Sequence, residues 1–130
     1  MLLAVYGTLR REGGAHVILK LLNAEFLGMG RVRGYRMFAS RIPFAVKSED
    51  RRDEIIVELY EVPDEKIPLL DHYEEGYVRR MVEVELEDGN TVEAWMYVWE
   101  HPLEDVELVE GGDWVKFIGG RSGCRRSTKL

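Results

Sequence analysis

The sequence predicts an α+β domain, a small mixed, mostly antiparallel β-barrel with short helices packed outside it. Extended segments dominate, and only two short amphipathic helices are legible, over 15–22 and 64–73. Gly28, Gly30 and Gly34 interrupt one long extended pattern, as the bends of a curved strand would. The stretch 77–99 reads as a hairpin that is apolar on both faces, so one face lines an interior while the other is covered by a helix or faces a cavity. A parallel three-layer α/β structure would need regular strand–helix alternation, which the chain lacks.

Taken in order, Leu2-Leu3-Ala4-Val5-Tyr6 reads as a short buried strand ended by Gly7-Thr8. Ala15 to Leu22 carries Val17, Ile18, Leu21 and Leu22 on one helical stripe. Glu25 to Phe38 is the bent strand, and Pro43 turns the chain into Phe44-Ala45-Val46. Glu49 to Asp53 is a charged turn. Ile55 to Val62 is rich in β-branched residues and free of breakers until Pro63-Asp64 stops it. Asp64 stands where it would cap a short helix running to about Tyr73, and Pro68 costs little in a first turn. That helix is expected to bury Leu69, Leu70 and Tyr73 and to leave through Gly76. In the hairpin, a three-residue loop Asp88-Gly89-Asn90 sets Leu86, Val84 and Val82 opposite Val92, Ala94 and Met96. Arg79, Met81 and Glu83 then share the other face with Trp95, Tyr97 and Trp99. The domain is expected to span 1–118, followed by a basic tail, 119–130, that frays.

A chain of 130 residues suits one domain, and 45% apolar with 32% charged residues suits an ordered, soluble one. No apolar run approaches the ~20 residues of a membrane span, and Met1 to Val5 is too brief and uncharged for a signal peptide. Cys124 is the single cysteine, which offers neither a disulfide nor a CxxC pair, so the expected location is cytoplasmic. Charge is uneven: residues 1–48 balance to +6, 49–113 to −17 and 114–130 to +5. An acidic centre opposes phosphate binding, and Arg31, Arg33, Arg36 and Arg41 alternate with Val32 and Tyr35 as the wet face of a strand does. Neither a nucleic-acid nor a membrane partner is expected.

Most chemical constellations are missing. His16, His72 and His101 show no ligand spacing, Gly28-Met29-Gly30 lacks a third glycine, and Ser40 has no nucleophile elbow. No metal or cofactor is therefore expected. Two segments remain. At Tyr6-Gly7-Thr8-Leu9 an apolar strand breaks at a glycine, and successive backbone N–H groups there can hold a carboxylate or a developing oxyanion. The same residues also read as a plain strand exit. The second segment runs from Leu70 to Arg80. Acids at the end of its short helix meet an unfavourable dipole and, if poorly hydrated, acquire raised pKa values suited to a general base. Composition alone does not separate Asp71, Glu74 and Glu75. Position does more: Glu74 lies at the border of the buried face, Glu75 next to the Gly76 exit faces water, and Asp71 is placed to bond Arg79.

Val5-Tyr6-Gly7-Thr8-Leu9-Arg10, Pro43-Phe44, Glu58-Leu59-Tyr60-Glu61-Val62, Leu70-Asp71-His72-Tyr73-Glu74 and Tyr77-Val78-Arg79 occur here in order and at characteristic spacing. Together they resemble the gamma-glutamylcyclotransferase-like family, most closely its small members that include gamma-glutamylamine cyclotransferase. The similarity spans about residues 2–99, and Asp113-Trp114 resembles the closing segment. The resemblance implies a ligand cavity at one end of the barrel, Glu74 as catalytic acid and base, and Tyr6, Gly7, Thr8 and Leu9 as the substrate-holding loop. It implies a cofactor-independent reaction in which the α-amine of a γ-glutamyl compound attacks its own side-chain carbonyl, closing 5-oxoproline and expelling an amine or amino acid. Two departures stand out: Ile55-Ile56-Val57-Glu58 replaces a usual glycine, and only Glu75-Gly76 separates Glu74 from Tyr77. The alternative is a non-catalytic small-ligand binding protein on the same cavity, a homodimer joined through Trp95 and Trp99.

Overall fold

Period-two alternation runs through three strands so that both of their faces are buried. The computed structural model describes residues 1–120, in which β1 (Leu2–Val5), β5 (Glu54–Glu61) and β7 (Thr91–Val98) carry this pattern. Ala4, Ile55, Val57, Leu59, Ala94, Met96 and Val98 point into a barrel. Their neighbours Leu3, Val5, Tyr60 and Tyr97 point outward and are buried under helices instead. With β2 (Glu25–Arg33) and β6 (Val78–Leu86) the barrel closes in the order β1-β5-β2-β6-β7. All neighbours are antiparallel except β1 and β7, which meet in parallel at Leu3 and Trp95. The mixed, mostly antiparallel barrel expected from the sequence is the fold, and closure leaves it no free edge.

The bent segment 25–38 proves to be two strands. β2 stays in the barrel, with a bulge between Phe26 and Gly28, and ends before Gly34. β3 (Tyr35–Ala39) then enters a separate three-stranded sheet with β4 (Pro43–Lys47) and β8 (Glu107–Leu108), in the order β4-β3-β8. Beyond it the chain is helical over 114–120, where Asp113 accepts a hydrogen bond from the Lys116 N–H at 3.1 Å and Trp114 joins the barrel core. Residues 119–120 end this helical segment, while 121–130, the rest of the expected tail, lie outside the described residues.

Two helices cover the outer side of the barrel: α1 (Val17–Leu21), and α2 (Ile67–Tyr73), which follows a 3-10 turn over Asp64–Lys66. Their buried faces differ from those expected. Around α1 it is Leu19 and Leu22 that pack down, while Val17 and Leu21 face solvent. α2 buries Ile67 and Leu70 and leaves Leu69 and Tyr73 exposed. Helices this short touch the barrel along a single turn, so the i, i+3 pair that meets it is not fixed by periodicity. Asp64 does not cap the turn either; its carboxylate accepts the Met1 ammonium at 2.9 Å, beside Glu61.

The β6–β7 hairpin keeps the expected faces but not the expected pairs. Val82 lies opposite Ala94 and Val84 opposite Val92, a slide of two residues. The three-residue loop is Glu87-Asp88-Gly89, closed by the Leu86 N–H on the Asn90 carbonyl at 2.8 Å. Gly89 has φ +89°, the left-handed third position that such loops require, which places the glycine last rather than in the middle. On the outward face Trp95 and Trp99 are half-buried rather than exposed. The Arg79 guanidinium lies over Trp95, and Trp99 packs edge-on against Phe44 and Tyr77 at 5.0 Å each. The strand arginines are neutralised locally, Arg31 by Glu54, Arg33 by Glu85 and Arg36 by Asp53.

Candidate functional site

Where β1 ends, the chain turns so that four successive carbonyls bond back into the protein. Gly7 O accepts from the Arg10 N–H at 3.0 Å, Thr8 O from Ala15 at 2.7 Å and Arg10 O from Gly13 at 2.8 Å. Leu9 O accepts from Nδ1 of His16 at 2.9 Å. The N–H groups of Gly7, Thr8 and Leu9 have no acceptor among the described residues. Successive donors left open in this way are the makings of an anion site. The turn is tightly built: a Cβ on Gly13 would overlap the Gly7 carbonyl, and one on Gly7 would overlap the Pro43 ring.

Glu74 approaches from the other side, just past α2. Its N–H donates to Leu70 O at 2.8 Å and its own carbonyl accepts from Tyr77 at 3.0 Å, which locks the backbone there. No donor reaches its half-buried carboxylate among the described residues. Burial alone pushes this carboxyl up from 4.5 to about 7. The neighbouring acids differ. Asp71 accepts Arg79 at 2.6 and 3.0 Å and the Tyr97 hydroxyl at 2.8 Å, and the Arg79 bond holds it below the usual carboxylate range. Glu75 is exposed.

Glu74 and the Tyr6–Leu9 turn line one cavity of about 280 Å³. The sequence-predicted residues are therefore brought together, and Glu75 stands at the same rim. Ile42, Pro43, Tyr73, Tyr77 and Tyr97 complete the wall, with no lysine, arginine or histidine among the lining residues. Burial raises the phenols of Tyr6, Tyr77 and Tyr97, so they remain neutral. Tyr77 donates to Pro43 O at 2.7 Å and ties the Glu74 segment to the opposite wall. Among the described residues no group of three His, Cys, Asp or Glu side chains comes together to hold a metal ion, and no helix is long and apolar enough to cross a membrane.

The family model described as "Gamma-glutamyl cyclotransferase, AIG2-like" matches residues 3–116. The chain belongs to this enzyme family. A relative from Methanocaldococcus jannaschii, named "Putative gamma-glutamylcyclotransferase", is 34% identical over 119 residues, covering 88% of this chain and 96% of its own. The crystal structure of an uncharacterised Pyrococcus horikoshii protein superposes with a TM-score of 0.73 at 30% identity, over 95% of this chain and 97% of that one. A mouse AIG2-like protein shares the fold at a TM-score of 0.74 and 22% identity, over 87% and 86% of the two chains.

In this gamma-glutamyl cyclotransferase family member, sequence reasoning missed three parts of the wall. Ile42 and Tyr73 were not assigned to it, although both are large apolar residues left exposed beside a turn. Tyr97 belongs to the outward row of β7, and only the observed register puts its hydroxyl on Asp71. A further signal was legible and unused. Glu58 is the lone acid inside the β-branched run Ile55 to Leu59, and it is buried in a salt bridge with Arg10.

Proposed function

We propose that this chain is a γ-glutamyl cyclotransferase that releases 5-oxoproline from a γ-glutamyl amine. Glu74 carries the proton transfers and the Tyr6–Leu9 turn holds the anionic parts of the substrate. The observation that supports this most is the facing pair in one cavity: a desolvated carboxyl near pKa 7 opposite three open N–H donors.

The substrate's α-amine, beside its own free α-carboxylate, arrives as an ammonium more basic than a chain N-terminus, and a carboxylate of ordinary pKa would be several units too weak a base to deprotonate it. Raised from 4.5 to about 7, Glu74 closes much of that gap, so the transfer is less uphill. The freed amine attacks the δ-carbonyl carbon of its own chain and forms the C–N bond of the five-membered ring. Charge builds on the carbonyl oxygen, where backbone N–H groups such as those of Gly7 to Leu9 stabilise it. Glu74 then gives its proton to the amide nitrogen as the old C–N bond breaks, takes the remaining proton from the new ring nitrogen and passes it to the departing amine, which leaves as an ammonium. No water is consumed, and the ring closure is unimolecular once the chain is held curled.

The lining also bears on the leaving group. Glu74 and Glu75 are the only carboxyl side chains among its lining residues, and it offers no base to pair a second carboxylate. Half-exposed Ile42 and Tyr73 flank the opening. Such a mouth favours an uncharged or cationic amine with an apolar stem over an amino acid bearing a free carboxylate. The test is a panel of γ-glutamyl conjugates of alkylamines, diamines and α-amino acids, with 5-oxoproline measured in each. Release from the amine conjugates, at least about tenfold faster than from the amino-acid conjugates, is expected. No 5-oxoproline from any member would overturn the reaction and favour the binding-protein alternative.

A further inference from the structure

Glu58 is 2% exposed and Arg10 is 5% exposed, the two buried charges of the described chain. Glu58 lies on β5 directly opposite Val5, the last residue of β1 before the loop begins. Its carboxylate reaches to where the loop ends. Oε2 accepts from Nε of Arg10 at 3.0 Å, and Oε1 accepts from the Arg11 N–H at 3.0 Å and the Tyr60 hydroxyl at 2.8 Å. Strand pairing at Glu58 thus fixes the start of the Tyr6–Leu9 turn while its side chain fixes the finish. Arg10 is held from a second side by Asp113 at 2.9 Å.

We infer that Glu58 is a positioning residue for the ligand loop: by gripping Arg10 and the Arg11 N–H it keeps the carbonyls of residues 7–10 turned away and their N–H groups free for a bound anion. This rests on the ligand-holding role proposed for that loop. Stability alone does not call for the pair, since well-packed apolar side chains commonly serve a buried site as well or better. What an apolar residue lacks is the ability to accept a backbone N–H and so set the direction of the peptide at the loop's end. Glu58 touches no substrate in this account, so its effect falls on anion holding, of bound carboxylate and developing oxyanion alike, and not on the proton transfer.

The experiment follows the amide resonances of Gly7, Thr8 and Leu9 in the full chain during titration with 5-oxoproline, alongside kcat and KM for an active γ-glutamyl amine. Wild type, Glu58→Met, Tyr60→Phe and the double variant Arg10→Met with Glu58→Met are compared. Glu58→Met is expected to weaken 5-oxoproline binding by about tenfold or more and to lower kcat/KM at least as much, since the same N–H groups serve the transition state, with the pH dependence of the rate unmoved. Tyr60→Phe removes another partner of the same carboxylate without touching the loop, so it should lower the melting temperature and leave affinity unchanged. The double variant removes the charge pair and the acceptor together, so it answers the question even where Glu58→Met fails to fold; it should melt near wild type yet bind weakly. Wild-type affinity in the double variant, or equal loss of affinity in Tyr60→Phe, would overturn the role given to Glu58 while leaving the site intact. Loop amides that ignore 5-oxoproline in the wild type would overturn the ligand-holding loop, and the positioning role with it.

Discussion

Glu74 owes its chemistry to where α2 stops. The helix end fixes the backbone, and burial without a donor raises the carboxyl to about 7. One consequence is kinetic: kcat/KM should rise with pH through an apparent pKa near 7, a limb that Glu74→Gln removes, as a pH series on both proteins would show. The other is thermodynamic. The folded pKa lies above the unfolded one, so between 4.5 and about 7 the folded protein binds more protons here and loses stability as pH rises. The loss is about 3 kcal/mol at most, and smaller for a carboxylate that keeps some contact with water. Glu74→Gln escapes it. Thermal melts should therefore coincide near the acid end of that window and separate by on the order of 5 °C at pH 8, with the variant higher. A difference independent of pH would show that Glu74 is not desolvated. At this scale the sequence singled out Glu74 by its place beside Leu70, but Tyr73 misled: it is half-exposed at the cavity wall and does not belong to the core.

At the scale of elements, α2 is the arm that carries the proposed base. Leu70 is 0% exposed and Leu69 is 57% exposed, although the two are adjacent. Leu70→Ala should cost about 2–5 kcal/mol in chemical denaturation and slow turnover, because Glu74 hangs from the Leu70 carbonyl. Leu69→Ala should change stability by less than about 0.5 kcal/mol. Equal effects would mean the helix packs on its other face. Strand existence was legible here because β-branched runs and breakers agree, as in 55–62 before Pro63. Helix faces and hairpin register were not. One or two turns of helix carry too little periodicity, and the register turned on Gly89 occupying the last loop position, a backbone demand hidden from apolar patterning.

Across the whole molecule, two apolar layers share the same strands, one inside the barrel and one beneath α1 and α2. Trp114, 4% exposed and stacked near Phe117, closes the inner layer from the chain's far end. Trp114→Ala should cost about 3–5 kcal/mol by denaturant unfolding; a loss below about 1 kcal/mol would mean that this segment does not seal the core. Barrel closure was foreseeable from the two-sided hairpin. The β4-β3-β8 sheet and the helical segment over 114–120 were not, since a two-residue strand and about two turns of helix leave almost no pattern. The candidate site inherits this architecture: β1 delivers the N–H turn, β5 holds its end through Glu58, and α2 brings the proposed base, Glu74, to the same cavity. The most direct measurement is the rate of 5-oxoproline release from one γ-glutamyl amine by wild type, Glu74→Gln and Glu75→Gln. Release by wild type, a fall of at least ~10² for Glu74→Gln with binding retained, and near-normal turnover for Glu75→Gln are predicted. Near-normal turnover by Glu74→Gln, or loss confined to Glu75→Gln, would contradict the account.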